Sequence, residues 1–154
     1  MENWNRTYRN IFKEAGYTEE EIKQRVEDTF EEIFYGEDKF FHLSSDDTMG
    51  YMEDTGNHDA RTEGMSYGMM MWVQMDRKKE FDSLWKFTKT CMYLDRGQNQ
   101  GYFAWSVGTD GSKNAYGPAP DGEEFFAMAL FFASHRWGDG EGIFNYSKEA
   151  KELL

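Results

Sequence analysis

The chain has 154 residues, which is enough for one domain with its own hydrophobic core. Hydrophobic residues make up 39% of the chain and aromatic residues 18%, and this composition excludes an aromatic-poor disordered tail. The formal net charge of -12 argues against nucleic acid and anionic membranes as partners, because neither binds a surface of the same sign without a basic patch.

The first segment, from Met1 to Glu21, has no basic stretch followed by a continuous apolar one. No apolar run in the sequence is long enough to span a bilayer. This pattern predicts a cytoplasmic protein without a membrane partner.

Two elements are predicted in the first third of the chain. Thr18 and Glu21 match a capping box, and apolar residues then recur at helical spacing until Gly36. Residues 37–57 contain the β-prone pieces FFHL and MGYM on either side of a polar turn. We therefore predict a helix followed by a small irregular β segment.

Helical patterns dominate the middle of the chain. Residues 60–75 are apolar around most of a helical circumference, which predicts a helix buried on nearly all sides. Asp76 is the expected N-cap of an amphipathic helix that runs to about Leu94. The segment YFAWSV is predicted as a short strand, and residues 108–120 as a loop, because their Gly and Pro residues oppose a helix.

Two more helices are predicted near the end. Asp121 and Glu124 form a second capping-box pattern, and the helix that they begin should stop at Gly138. Ser147 is the expected cap of a final helix of about two turns. Alternating buried and amphipathic helices are typical of stacked αα-hairpins, so the predicted class is all-α with short β segments in the connections.

Three residues could belong to a ligand site. Glu63 has glycines beside it that let a ligand approach the backbone, but a first-turn Glu stabilised by the helix macrodipole is the simpler explanation. The same dipole stabilises the carboxylate, so an acid role would need desolvation by neighbouring aromatics. Asp121 could bind a sugar or cap its helix, and Trp105 could stack on a sugar ring or pack in the core.

No metal, cofactor or disulfide is predicted. Cys91 is the single cysteine, and the three histidines are scattered without zinc-type spacing. The acid-rich segment SSDDTMGYMEDTGNHD lacks the spacing of a calcium loop. A solvated acidic loop is the better explanation of that segment.

Two long motifs resemble glycoside hydrolase family 8. They are DTGNHDARTEGMSYGMMMWVQMDRKKEFD and GYFAWSVGTDGSKNAYGPAPDGEEFFAMALFFASHRWGDG, and both look closest to the reducing-end xylose-releasing exo-oligoxylanases of that family. The resemblance extends from about Tyr8 to Leu154. It implies an (α/α)6 barrel, with residues 1–154 as the N-terminal part of a catalytic domain whose C-terminal part is missing.

The resemblance also implies an activity. The family inverts the anomeric centre, and this subgroup hydrolyses β-1,4-xylo-oligosaccharides and releases xylose from the reducing end, without a cofactor and as a monomeric parent enzyme. Glu63 matches the general acid that protonates the leaving oxygen. Asp121 matches the acidic residue that holds the distorted sugar at subsite -1, and Trp105 matches an aromatic platform there.

Inversion also needs a base. A second carboxylate, about 6.5–9.5 Å from the acid, must activate water on the opposite face of the sugar. In this family the base lies beyond the position that matches Leu154, so this polypeptide alone is expected to be inactive. The inner faces of its helices would be uncovered and should drive association or disorder.

Other functions stay open at this point. The chain could belong to an endo-acting xylanase or a β-glucanase of the same family. It could also be a non-catalytic sugar-binding fragment that keeps Trp105 and Asp121 but has no base.

Overall fold

The computed structural model describes residues 8–154. They form two compact units, one that ends at Lys39 and one that runs from Phe40 to Leu154. Residues 1–7 lie outside the described residues. They belong to the predicted domain and to the first segment, in which the sequence shows no basic stretch followed by an apolar one. Among the helices of the described part, none combines the length and the apolar character that a membrane crossing requires.

The first unit contains helices α1 (Ile11–Glu14) and α2 (Glu19–Tyr35). The predicted capping box of α2 is confirmed, because the Thr18 hydroxyl accepts the Glu21 N–H at 3.2 Å and the Glu21 carboxylate accepts the Thr18 N–H at 2.8 Å. These bonds lower the pKa of Glu21 from its ordinary value. The helix ends at Gly36, as predicted.

A four-stranded antiparallel sheet opens the second unit. Its strands are β1 (Phe41–Leu43), β2 (Gly50–Asp54), β3 (Asp59–Arg61) and β4 (Ser106–Gly108), which pair in that order. The first two confirm the predicted β segment. The predicted strand YFAWSV becomes regular only at Ser106, because the Ala104 and Trp105 N–H groups bind the carbonyls of Met92 and Gly117.

The remaining elements are helices. They are α3 (Thr62–Gln74), α4 (Lys78–Phe87) with a π-helical turn (Thr88–Met92), α5 (Pro120–Trp137), a 3-10 turn (Gly142–Phe144) and α6 (Tyr146–Leu153). Helix α3 packs on α4 and α5, and α5 packs on α6. The predicted order of αα-hairpins is confirmed.

Helix α3 is buried on most sides, as its composition predicts. Met65, Met69 and Trp72 have no exposed surface. Gly68 allows close packing, since an added Cβ would lie 2.8 Å from Met52 Cγ on β2 and 2.9 Å from Leu84 Cδ1 on α4. A larger residue at Gly68 would push the sheet and α4 away from this helix.

Helix α6 is anchored to α4 by a buried tyrosine. The Tyr146 hydroxyl donates to the Asp82 carboxylate and accepts from Lys78 Nζ at 2.8 Å. Burial, together with Asp82, raises the pKa of Tyr146. The phenol therefore stays protonated and can donate to Asp82. Nearby, Trp85 Nε1 donates to the Ile143 carbonyl at 2.7 Å.

The predicted cap at Asp76 is wrong. Arg77 occupies the N-cap position of α4, and no side chain caps this helix. Asp76 has a φ of 59°, and its carboxylate accepts the indole N–H of Trp137 at 2.7 Å. The side chain thus ties the end of α5 to the turn between α3 and α4.

The predicted cap at Ser147 is also wrong. Asn145 is the N-cap of α6, and its side chain accepts the Lys148 N–H at 3.2 Å. Ser147 lies inside the first turn, where its hydroxyl donates to Asp139 at 2.7 Å. A second carboxylate oxygen of Asp139 accepts the Ser147 N–H at 2.8 Å.

Candidate active site

The N-termini of α3 and α5 meet at a glycine. An added Cβ at Gly122 would lie 2.7 Å from Thr62 Cβ and 2.8 Å from the Thr62 carbonyl carbon. Further along the two helices, the rings of Tyr67 and Phe125 are in edge contact, with centroids 5.1 Å apart. Both contacts lie in the same order along the two sequences, because Tyr67 follows Thr62 and Phe125 follows Gly122. Helices α3 and α5 therefore run parallel from this end.

Glu63 and Asp121 lie on either side of this contact. Glu63 follows Thr62 in the first turn of α3, and Asp121 precedes Gly122 in the first turn of α5. Both residues are exposed. The tertiary structure therefore brings the two predicted acidic site residues to one end of the helix pair.

The predicted capping role of Asp121 is wrong. Ala119 occupies the N-cap position of α5, and no side chain caps the helix. Pro120 is the first helical residue, where its missing N–H has no cost and its fixed φ suits the helix. Asp121 and Glu124 therefore form no capping box, and capping does not compete with ligand binding at Asp121.

Trp105 is hydrogen-bonded to Thr62, the residue that precedes Glu63. Its carbonyl accepts the Thr62 N–H at 3.0 Å, and its own N–H donates to the Gly117 carbonyl at 3.1 Å. Trp105 exposes 39% of its surface, so of the two alternatives that the sequence left open, packing in the core does not apply. The backbone bonds place an accessible indole next to the residue that precedes Glu63.

Sequence reasoning missed Arg61, the last residue of β3. Its guanidinium lies 5.3 Å from the ring centroid of Trp105, and its Nε donates to Asp59 at 3.0 Å. The bond to Asp59, with a smaller effect of Glu63, raises the pKa of Arg61, so this side chain stays positively charged. The position of Arg61, two residues before Glu63 in the sequence, was the available signal.

Sequence reasoning also missed Glu123 in the first turns of α5. This residue is only 8% exposed, and its Oε1 accepts the Phe103 N–H at 2.9 Å. Burial raises the pKa of the Glu123 carboxyl. A signal existed, because Glu123 falls on the same helical stripe as the buried Phe126 and Leu130.

Two further exposed aromatic rings belong to α3 and to the loop before α5. Tyr116 is 70% exposed and belongs to the loop before α5, where Asn99 Nδ2 donates to its carbonyl at 2.6 Å. Tyr67 on α3 is 42% exposed. Aromatic faces of this kind suit the CH faces of sugar rings.

Within residues 8–154, no group of three or more His, Cys, Asp and Glu side chains is arranged to hold a metal ion.

Acidic side chains beside an exposed tryptophan, at the ends of packed αα-hairpins, are typical of helical carbohydrate-hydrolysing enzymes. Residues 37–153 match the family described as glycosyl hydrolases family 8. The chain belongs to this family.

Two curated relatives are similar over almost the whole chain. The reducing end xylose-releasing exo-oligoxylanase of Halalkalibacterium halodurans is 60% identical over 154 residues, which cover 98% of this chain and 39% of that protein. The reducing-end xylose-releasing exo-oligoxylanase Rex8A of Paenibacillus barcinonensis is 54% identical over 150 residues, which cover 96% of this chain and 39% of that protein. The chain thus spans 39% of the length of these relatives.

A crystal structure of a reducing-end-xylose releasing exo-oligoxylanase matches this fold with a TM-score of 0.94 and 59% identity. The match covers 98% of this chain and 40% of that one. The predicted fold class is therefore confirmed: the helices and their short connecting strands correspond to part of the family's (α/α)6 barrel.

Proposed function

We propose that this chain supplies the general acid and part of the sugar-binding surface for inverting hydrolysis of β-1,4-xylo-oligosaccharides, with release of xylose from the reducing end. The observation that carries the proposal is the meeting of Glu63, Asp121 and Trp105 at one end of α3 and α5. The 60% identity to an exo-oligoxylanase supports the choice of substrate. In this proposal residues 1–154 are part of one catalytic domain.

Glu63 would protonate the glycosidic oxygen as the bond breaks. A bound sugar would exclude water from this end of α3, and desolvation favours the protonated form of a carboxyl group. Substrate binding would thus prepare Glu63 to act as an acid.

Trp105 and Asp121 would hold the sugar beside that acid. The exposed indole offers a flat face for the CH groups of a xylose ring. The Asp121 carboxylate, which caps no helix, would accept hydrogen bonds from sugar hydroxyls and favour a distorted ring.

The general base would come from outside residues 1–154. Glu123 is buried and accepts a backbone N–H, and Asp121 is assigned to the sugar, so neither is suited to activate water on the opposite face. We therefore expect the chain alone to be inactive.

Xylotriose hydrolysis tests this proposal. The purified chain should release no more xylose than its Glu63→Gln variant. A fusion that continues after Leu154 with the remaining C-terminal part of the Halalkalibacterium relative should be active. Glu63→Gln should slow hydrolysis by that fusion by about 100- to 10,000-fold, the usual contribution of a general acid. Free xylose is the readout.

Glu124→Gln is the matched control, since Glu124 is an exposed carboxylate of the same region that forms no capping bond. A fusion whose rate does not depend on Glu63 would contradict the acid assignment. Faster hydrolysis of β-glucan or longer xylan chains than of xylotriose would instead favour the endo-acting alternatives.

A further inference from the structure

Four consecutive residues around Trp105 are held by different parts of the fold. Phe103 is hydrogen-bonded to Glu123 of α5, and Ala104 to Met92 of the π-helical turn at 2.8 Å. Trp105 is hydrogen-bonded to Thr62 of α3 and to Gly117 of the loop before α5. Ser106 is hydrogen-bonded to Asp59 of β3 at 2.7 Å. The position of the indole therefore depends on how these elements are arranged.

The bond between Glu123 and Phe103 involves a buried carboxylate and the main chain. It joins a backbone N–H to a carboxylate that is 8% exposed, beside the fully buried ring of Phe103. The Phe103 ring in turn contacts Phe126 of α5, with centroids 5.5 Å apart. Burial of a carboxyl group among aromatic rings is unfavourable unless a hydrogen bond compensates it. Packing alone would favour an apolar residue here.

We infer that Glu123 is a positioning residue of the carbohydrate site, because its bond to the Phe103 N–H ties the segment that carries the Trp105 indole to α5, the helix of Asp121, in addition to the backbone bonds of Trp105 itself. Asp121 and Glu123 are two residues apart on the rigid helix α5. Trp105 is two residues from Phe103. The inference rests on the proposed role of Trp105 and Asp121 in sugar binding.

Loss of this bond has a specific consequence. The Phe103 N–H would be buried without an acceptor, which is costly enough to shift the segment toward water. The other bonds of residues 104–106 would remain, so the fold would persist, but the segment that carries the indole would lose its hydrogen bond from Phe103 to α5 and with it part of its alignment with Asp121.

Two substitutions separate the bond from the charge. Glu123→Gln keeps a carbonyl acceptor of the same length and removes the charge, whereas Glu123→Met keeps the length and removes the acceptor. Glu124→Met is the matched control, because Glu124 is exposed on the same helix. Far-UV circular dichroism of each full chain reports whether it folds.

Amide hydrogen exchange by NMR tests the hydrogen bond between Glu123 and the Phe103 N–H without any sugar. The Phe103 amide should be protected in the wild type, in Glu123→Gln and in Glu124→Met. In Glu123→Met its exchange should be faster by about tenfold or more, the effect expected from one lost buried hydrogen bond. Unchanged protection in a folded Glu123→Met chain would overturn the inference.

Calorimetric titration with xylotriose tests the consequence for binding. Glu123→Met should raise the Kd by about tenfold, and Glu123→Gln should restore it to within about threefold of the wild type. A Kd for Glu123→Met equal to that of the wild type, or an equal rise in Glu123→Gln, would overturn the inference.

The Trp105→Ala variant distinguishes failure of this inference about Glu123 from failure of the proposed function. If the wild type binds xylotriose, Trp105→Ala does not, and Glu123→Met binds normally, then the proposed function stands and the inference fails. If the wild type does not bind xylotriose, the sugar-binding role assigned to this chain fails, and the role of Glu123 in that site fails with it.

Discussion

Glu123 carries a carboxyl group into an apolar part of the second unit. Burial raises its pKa, the Phe103 N–H opposes this effect, and the negative charge of Asp121 adds to it. The native state therefore binds a proton more tightly than the unfolded chain does. Over the pH range between the unfolded and the folded pKa, stability falls as the pH rises, because the unfolded state loses its proton first.

Glu123→Gln should remove this pH dependence. Relative to the wild type, the variant should gain stability as the pH rises from about 4, near the unfolded pKa of Glu, to about 7. Thermal unfolding in small pH steps measures the difference in Tm. The exposed Glu124→Gln variant serves as the control, and a Tm difference that stays constant with pH would contradict the assignment.

The roles of single residues were partly accessible from the sequence. The long motif identified Glu63, Asp121 and Trp105 as site residues, and these assignments stay predictions. Glu123 escaped notice because an acidic residue in a helical first turn usually faces solvent, whereas here the side chain turns toward Phe103.

At the scale of elements, the contact between α3 and α5 sets the geometry of the candidate site. Gly122 lets the two N-termini approach, and the atoms that an added Cβ would meet include Thr62 backbone, which cannot rotate away. This contact fixes the spacing between the first turns that carry Glu63 and Asp121.

Gly122→Ala should therefore destabilise the chain by about 1–3 kcal/mol through overpacking. Gly64→Ala is the matched control, since its Cβ would meet only Met52 Cβ at 3.8 Å. That change should stabilise α3 by about 0.5–1 kcal/mol through helix propensity. Urea unfolding measures both, and a Gly122→Ala chain as stable as the wild type would contradict the close contact.

Helix caps show where local patterns suffice. The Thr18 cap was predicted correctly because both partners of its box lie within three residues. The caps at Asp76 and Ser147 were wrong because those side chains bind Trp137 and Asp139. At Asp121, the predicted cap was wrong because the helix begins at Pro120, with Ala119 in the N-cap position two residues before Asp121.

At the scale of the whole molecule, helix α5 exposes large apolar side chains. Met128, Phe131 and Phe132 are 39%, 36% and 45% exposed. Contiguous apolar surface of this kind favours association in water. It lies on the helix that also carries Asp121, within the second unit.

We expect the purified chain to associate as its concentration rises. Replacement of Phe131 and Phe132 by serine should lower the apparent mass in light scattering, because it removes apolar surface from that face. Val26→Ser, which changes an exposed apolar residue of the first unit, is the control. A monomer at every concentration, with one sharp calorimetric transition, would contradict this expectation.

The sequence by itself determined the helical periodicity, the cap at Thr18, the stops at Gly36 and Gly138 and the family motif around Glu63, because each depends on residues close together in the chain. Only the tertiary structure decided which polar groups pair over long separations. The pairs Glu123–Phe103, Asp59–Ser106 and Asp76–Trp137 are 20, 47 and 61 residues apart. A buried polar side chain must find a partner wherever packing brings one, and local spacing does not specify that partner.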